Sequence, residues 1–194
     1  MKISSKYLIL ICALFISGLC ISWEMKDAGL IKKLDKQIGK TWKDQKPKKQ
    51  EFQVQSKDPS LEDRQFYKLF TNDSLVGYAV LSRAYGCRVG GCAVYYSATE
   101  KSGSYDPFYY AIITDANFVI KNVNVLEYFS EHGYQITNKK WLAQFVGKNG
   151  QDLEYGKNVD AISGATISVM SLLDDVEIAC KMLRESNPNA LSIE

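Results

Sequence analysis

Residues 107–129 read PFYYAIITDANFVIKNVNVLEYF, and this stretch decides the fold. Both halves are rich in Val, Ile, Tyr and Phe, which are residue types that favour β-strands. The polar segment from Asp115 to Asn117 lies between them and is typical of a tight turn. We therefore predict that the two halves form antiparallel strands joined by a hairpin.

More strands are predicted before this hairpin. The runs QFYKLF from Gln65, SLVGYAVLSRAYG from Ser74 and CAVYYSAT from Cys92 have the same β-favouring composition. The segments after the hairpin are predicted to be helical. The expected fold class is therefore α+β, an antiparallel sheet backed by helices and preceded by an N-terminal membrane helix.

Two helices are predicted on the C-terminal side. The segment from Asn138 to Lys148 begins with an N-cap residue, Asn138, and carries large apolar residues on one face. A longer helix follows Gly164. Its apolar residues recur every three or four positions and form one stripe: Val169, Leu173, Val176, Cys180 and Leu183.

Charge and histidine content limit the possible functions. The 194 residues carry a formal charge of only +2, which gives no reason to expect a nucleic-acid partner. His132 is the only histidine, which excludes multi-histidine metal sites, and we assign neither a metal site nor a catalytic residue. A bound cofactor is the simplest source of chemistry for such a chain.

The N-terminus predicts a membrane segment. Lys2 and Lys6 precede YLILICALFISGLCISW, an uncharged run over residues 7–23 that is just long enough to span a bilayer. We favour a retained anchor over a cleaved signal peptide, because the end of the run matches a small-residue cleavage site poorly. Lipid attachment at Cys20 is a weaker alternative. The basic residues before the run place the rest of the chain outside the cytoplasm.

Three regions are predicted: the anchor at 1–24, a helical stalk with a basic linker at 25–60, and the folded domain at 61–194. The stalk helix, from Met25 to Lys40, has apolar residues at helical spacing: Leu30, Ile31, Leu34 and Ile38. The following stretch to Gln50, KTWKDQKPKKQ, combines lysines with Pro47 and is predicted to be a solvated linker.

The stretch NVDAISGATIS, from Asn158 to Ser168, brings an acid, a small-residue turn and a threonine to the start of the last helix. Backbone N–H groups at a helix start are unpaired and favour an anion such as a phosphate. Thr166 would present its hydroxyl at that point. The alternative is an ordinary capped helix with Ser163 as the N-cap.

The segment DAISGATIS resembles the Asp-x-x-Ser/Thr-Gly-Ala-Thr motif of FMN-binding domains. These domains occur in the FMN-carrying subunits of the sodium-pumping NADH:quinone reductase and of Rnf-type complexes, and in stand-alone membrane-anchored relatives. The similarity runs from about Leu75 to Arg184 and includes FVIKNVNVLEY and KKWLAQFVGKNG in family order. In that family a flavin transferase joins FMN through its phosphate to the last threonine of the motif. The resemblance therefore implies covalent FMN on Thr166.

The resemblance also implies cofactor-binding roles for other residues. They are the motif residues Asp160, Ser163, Gly164 and Ala165, and Gly133 in the turn that lies against the flavin. Asp160 would help the transferase or order the loop, through Mg²⁺ bound with the FAD donor. The turn itself, SEHGY at 130–134, differs from the Glu-Thr-Pro-Gly-Leu-Gly of pump subunits. This chain therefore resembles the stand-alone members of the family more than the pump subunits. His132 either contacts the flavin or faces solvent.

Cys87 and Cys92 stand close together in GCRVGGCA. Three alternatives remain for this pair: a structural disulfide, two free thiols, or a disulfide that exchanges electrons with the flavin. The oxidising exterior favours the first. Cys180, on the apolar stripe, is predicted to be a core residue.

We expect an electron carrier rather than a stand-alone enzyme. It would pass electrons from a membrane donor to an acceptor outside the cytoplasm, and a flavin transferase would mature it. Two alternatives remain: a module that binds FMN or another small ligand without a covalent bond, and a structural subunit of a membrane redox complex.

Overall fold

The computed structural model describes residues 28–54, 64–87, 105–130 and 132–187. Five strands form one antiparallel sheet in which each strand pairs with the next along the chain: β1 Lys48–Phe52, β2 Gln65–Thr71, β3 Ser74–Cys87, β4 Tyr105–Asp115 and β5 Ile120–Tyr128. The α-helices are α1 over residues 28–41, α2 Lys139–Leu142 and α3 Thr166–Glu185. The predicted α+β class, an antiparallel sheet with helices, is confirmed.

The predicted hairpin joins β4 to β5. Thr114 pairs with Ile120, and the Asp115 carboxylate accepts hydrogen bonds from the backbone N–H groups of Asn117 and Val119, both at 3.0 Å. An aspartate that binds the backbone two residues ahead stabilises a tight turn. The strands predicted from Gln65 and Ser74 are confirmed as β2 and β3, whereas the strand predicted over 92–99 lies outside the described residues.

Helices cover both faces of the sheet. Buried α1 residues contact one face, in a cluster made of Leu30, Leu34, Ile38, Tyr67, Leu69, Ala79, Leu81, Ala111 and Ile113. Helix α3 packs on the other face, where its predicted apolar stripe is entirely buried. This arrangement explains why β3 and β4 are apolar on both sides: the two faces of each strand contact a different helix.

Helix α1 does not stand away from the sheet as the predicted stalk would. It packs on the sheet, and Lys33 Nζ also donates a hydrogen bond to Glu127 Oε1 on β5 at 2.6 Å. Part of the predicted linker forms β1, which pairs with β2 from Lys48 opposite Phe70 to Phe52 opposite Phe66. The region predicted as stalk and linker therefore contributes a helix and an edge strand to the folded part of the chain.

The helix predicted from Asn138 to Lys148 is shorter than expected. Asn138 is its N-cap, as predicted, and its side chain accepts a hydrogen bond from Lys140 N at 2.9 Å. The α-helix ends at Leu142 and continues as a 3₁₀ turn over Ala143–Phe145. Gly147 then adopts φ +86° and donates its N–H to the Ile120 carbonyl at 2.9 Å. Because the Gly147 N–H binds β5 instead of a carbonyl of the preceding turn, the helix ends here.

A buried ionic network fixes α3 on the sheet. The Asp175 carboxylate binds the Arg64 guanidinium and accepts hydrogen bonds from the hydroxyls of Tyr110 and Ser82, the latter at 2.6 Å. Burial, and next the negative charge of Asp175, hold the pKa of Tyr110 well above its ordinary value. Because these contacts join α3 to β3 and β4, they also determine where the first turn of α3 lies.

No helix within the described ranges is long and apolar enough to cross a membrane. The membrane segment predicted at 7–23, including Cys20, lies outside the described residues. The region boundaries at 1–24, 25–60 and 61–194 stay predictions.

Candidate functional site

The predicted motif lies at the start of α3. Gly164 adopts φ +77°, a left-handed conformation that turns the chain into the helix, and Ala165 is the N-cap. The first helical hydrogen bond runs from Val169 N to the Ala165 carbonyl at 2.9 Å. The alternative of Ser163 as the N-cap is wrong, because no side chain caps this helix. The helix start therefore keeps the backbone donors that an anion would use.

Thr166 is the first residue of α3, and its side chain is exposed. Its hydroxyl lies 3.3 Å from the hydroxyl of Tyr155, within hydrogen-bond distance. Ser163 and Gly164 are exposed as well, whereas Ala165 is fully buried beneath them. The motif thus presents the hydroxyl of Thr166, together with that of Ser163, at an accessible helix start beside the buried Ala165.

The turn at Gly133 packs against the same helix start. Gly133 adopts φ +83°, and a Cβ there would lie 2.5 Å from Ser168 Oγ and 2.6 Å from the Tyr128 hydroxyl. Tyr128 is hydrogen-bonded to Ser168 Oγ at 2.9 Å and donates to the His132 carbonyl. The structure therefore brings the Gly133 turn, predicted from the resemblance, to the first turn of α3. Only glycine fits so close an approach.

His132 stands in this turn with its side chain exposed. Its backbone N–H donates to Ser130 Oγ at 3.3 Å. No described residue forms a hydrogen bond or ion pair with the imidazole, so contact with the flavin stays a prediction. Glu131, between these two residues, lies outside the described residues.

Asp160 is held by its backbone and exposes its side chain. Trp141 Nε1 donates to the Asp160 carbonyl at 2.8 Å, and Asp160 N donates to Gln144 Oε1 at 2.9 Å. The backbone of Asp160, the first residue of the motif, is thereby held in place, and its side chain is exposed. Within the described ranges, no group of three or more His, Cys, Asp and Glu side chains is arranged to hold a metal ion.

Two exposed apolar side chains lie at this helix start. Tyr155 contacts Thr166 and is 36% exposed, and Met170, one helical turn beyond Thr166, is 37% exposed. Tyr134 follows Gly133 and is 59% exposed, whereas Phe129, 62% exposed, contacts Tyr109 on the side of the sheet that α1 covers. Tyr155 and Met170 thus expose apolar surface beside Thr166, and exposed apolar surface is typical of a ligand or partner site. Neither Tyr155 nor Met170 was predicted as a site residue from the sequence.

The described part of the chain assigns no cysteine to this site. Cys87 is the last residue of β3, and Cys92 lies outside the described residues, so the state of this pair stays a prediction. Cys180 is a free, fully buried thiol, as predicted for a core residue. Burial raises its pKa to about 12.

Comparison with known proteins supports the reading of the motif. Residues 103–181 match the family model of the FMN-binding domain. This range includes β4, β5, the Gly133 turn, the motif and most of α3. None of the curated proteins compared with the sequence matches it significantly.

Proposed function

Because residues 103–181 form an FMN-binding domain whose cofactor is FMN, we propose that this protein is an electron-transfer flavoprotein with FMN joined by a phosphoester to Thr166. We further propose that the domain works outside the cytoplasm, tethered by the apolar N-terminal segment. The exposed Thr166 hydroxyl at the start of α3 is the observation that carries this proposal.

The helix start suits a phosphate for two reasons. The N–H groups of the first turn precede the first helical hydrogen bond and carry the positive end of the helix dipole. Gly164 and the neighbouring Ser163 are exposed, so no side chain bulk blocks approach to these donors. A phosphate on Thr166 Oγ1 would therefore be stabilised by the backbone that presents it.

The attachment reaction balances with FAD as donor. The Thr166 oxygen forms a bond to the phosphorus of the FMN half, the anhydride bond of FAD breaks, AMP leaves, and the hydroxyl proton is released. The contact of 3.3 Å between Thr166 and Tyr155 orients that hydroxyl. We propose that a separate flavin transferase catalyses this step, as in the family whose motif DAISGAT resembles.

The surroundings of Thr166 suit an aromatic ring system. Tyr155 and Met170 expose apolar surface beside Thr166, and aromatic and thioether groups pack well against planar rings. Bound FMN would supply one- and two-electron transfer, and the protein would bind and orient it. A site at the surface is accessible to both a membrane donor and an exterior acceptor.

Intact mass spectrometry tests the covalent bond. The full chain, coexpressed with a flavin transferase, is expected to gain the mass of FMN less one water. Thr166→Ala is expected to abolish the adduct, whereas the control Thr137→Ala, an exposed threonine outside the motif, is expected to retain it. An unmodified wild-type protein, or an adduct that survives Thr166→Ala, would remove the proposal.

A second candidate is non-covalent FMN binding with Thr166 as a phosphate contact. The same helix start supports it, since backbone donors bind a phosphate whether or not an ester forms. Fluorescence of the band on a denaturing gel separates the two: covalent flavin stays with the chain, and non-covalent flavin is lost. A structural subunit that carries no flavin would purify colourless.

A further inference from the structure

A concave site lies between α1, β5 and α2. It is a cavity of about 310 Å³, at the lower end of the range of about 300–1,000 Å³ that small-molecule sites occupy. Its lining comprises Gln37, Lys40, Lys121, Asn122, Val123, Asn124, Lys139, Leu142, Ala143 and Val146. None of the residues placed at the flavin site belongs to this lining.

The polar lining of this cavity is basic. Three lysines line it, one from each surrounding element, and no carboxylate does. Lys121 Nζ forms an ion pair with Asp115 Oδ2 at 3.0 Å, so its charge is partly compensated. Lys40 and Lys139 form no ion pair with any residue of the described ranges. Two lysines of the lining therefore carry a charge that no described residue compensates.

The walls are held in place by contacts between the elements. Asn122 Nδ2 on β5 donates to Thr41 Oγ1 on α1 at 3.0 Å, and the Asn138 cap fixes the start of α2. The apolar part of the lining includes Val123 and Leu142, both buried. The cavity thus combines a fixed apolar side with a cationic rim.

We propose that this cavity binds a small phosphate monoester. A phosphate dianion carries three terminal oxygens, which lets ammonium groups from two walls bind it at once, and lysine is a common phosphate ligand in proteins. The apolar side accommodates the organic part of the ester. The ester can be a soluble metabolite or the headgroup of a phospholipid, since both present the same terminal phosphate. This proposal does not depend on covalent FMN.

Isothermal titration of the full chain with phenyl phosphate tests the site. We expect saturable 1:1 binding that the Lys40→Gln/Lys139→Gln variant weakens by roughly tenfold for each lysine removed. The matched control is Lys36→Gln/Lys140→Gln, which removes the same charge from exposed positions on the same two helices outside the cavity. Absence of saturable binding, or equal weakening in both variants, would overturn the proposal.

A second experiment, with lipid vesicles, distinguishes a phospholipid headgroup from a soluble phosphate ester. Flotation with phosphatidylcholine vesicles containing phosphatidic acid is compared with flotation on phosphatidylcholine alone, using the same two variants. Selective loss of acid-dependent binding in Lys40→Gln/Lys139→Gln supports a lipid headgroup. Vesicle binding that is equal in both variants, together with selective loss of phenyl phosphate binding, supports a soluble ester.

Discussion

Replacing Gly133 by alanine tests how the turn and α3 fit together. The new Cβ would lie 2.5 Å from Ser168 Oγ and 2.6 Å from the Tyr128 hydroxyl, closer than real Cβ contacts. Both atoms are held by their mutual hydrogen bond at 2.9 Å. The left-handed backbone costs an L-residue about 1–2 kcal/mol, and overpacking adds about 1–3 kcal/mol. Gly133→Ala should therefore lower the free energy of unfolding by about 2–5 kcal/mol.

Gly147→Ala is the matched control for this substitution. Gly147 has nearly the same φ, +86° against +83°, but a Cβ there would meet nothing within 4 Å. It should cost only the backbone strain of about 1–2 kcal/mol. Urea denaturation followed by circular dichroism measures both values. A difference between the two variants of less than about 0.5 kcal/mol would refute the steric argument.

A double-mutant cycle makes the same test more specific. Ser168→Ala removes the nearest atom that the new Cβ would meet. In the Gly133→Ala/Ser168→Ala protein, part of the steric cost should therefore be regained, giving a coupling energy of about 0.5–3 kcal/mol. Strictly additive losses would show that the turn relaxes away from α3.

Three further predictions concern the core. Asp175→Ala leaves the Arg64 guanidinium buried without its counter-charge and should cost about 3–5 kcal/mol in urea denaturation, whereas the exposed neighbour Asp174→Ala should cost far less. The raised pKa of Tyr110 keeps its phenol neutral in the folded state. Its contribution to the free energy of unfolding is therefore complete below about pH 10 and is lost as the pH rises further. Tyr110→Phe should reduce this loss of stability at alkaline pH, and an unchanged dependence of the free energy of unfolding on pH would contradict the prediction. Iodoacetamide at pH 8 should label Cys180 only in urea, because the buried thiol has a pKa of about 12. Stoichiometric labelling of Cys180 itself in the native protein would count against this burial.

The sheet and α3 were predictable because their signals are local. The hairpin depends on strand-forming residues on both sides of Asp115, and the stripe of α3 depends on helical spacing. Strand β1 gave no such signal, since Lys48–Phe52 reads KKQEF and is polar. Among the described strands it lies at the edge of the sheet and pairs with β2 alone, and edge strands tolerate lysine because one side is open to solvent.

The apolar spacing of α1 predicted a buried face but not the surface that buries it. Leu34 would be buried equally well against a partner helix or against this sheet, and only the folded chain shows the latter. The same reason explains why two residues at the start of α3 were not predicted from the sequence. Tyr155 and Tyr128 come to the first turn of α3 through long-range packing, and neither belongs to the motif that identified Thr166.

The first turn of α3 carries two hydroxyl residues whose surroundings differ sharply. Successive helical positions are rotated by about 100°, so Thr166 and Ser168 point about 200° apart, to nearly opposite sides. Thr166 is exposed and contacts Tyr155, whereas Ser168 is fully buried and bonded to Tyr128. A phosphoester on Ser168 would require opening the contact with the Gly133 turn, but one on Thr166 requires no rearrangement of the core. This difference is the physical reason to expect the flavin on the threonine, and it also explains why the serine beside it serves packing.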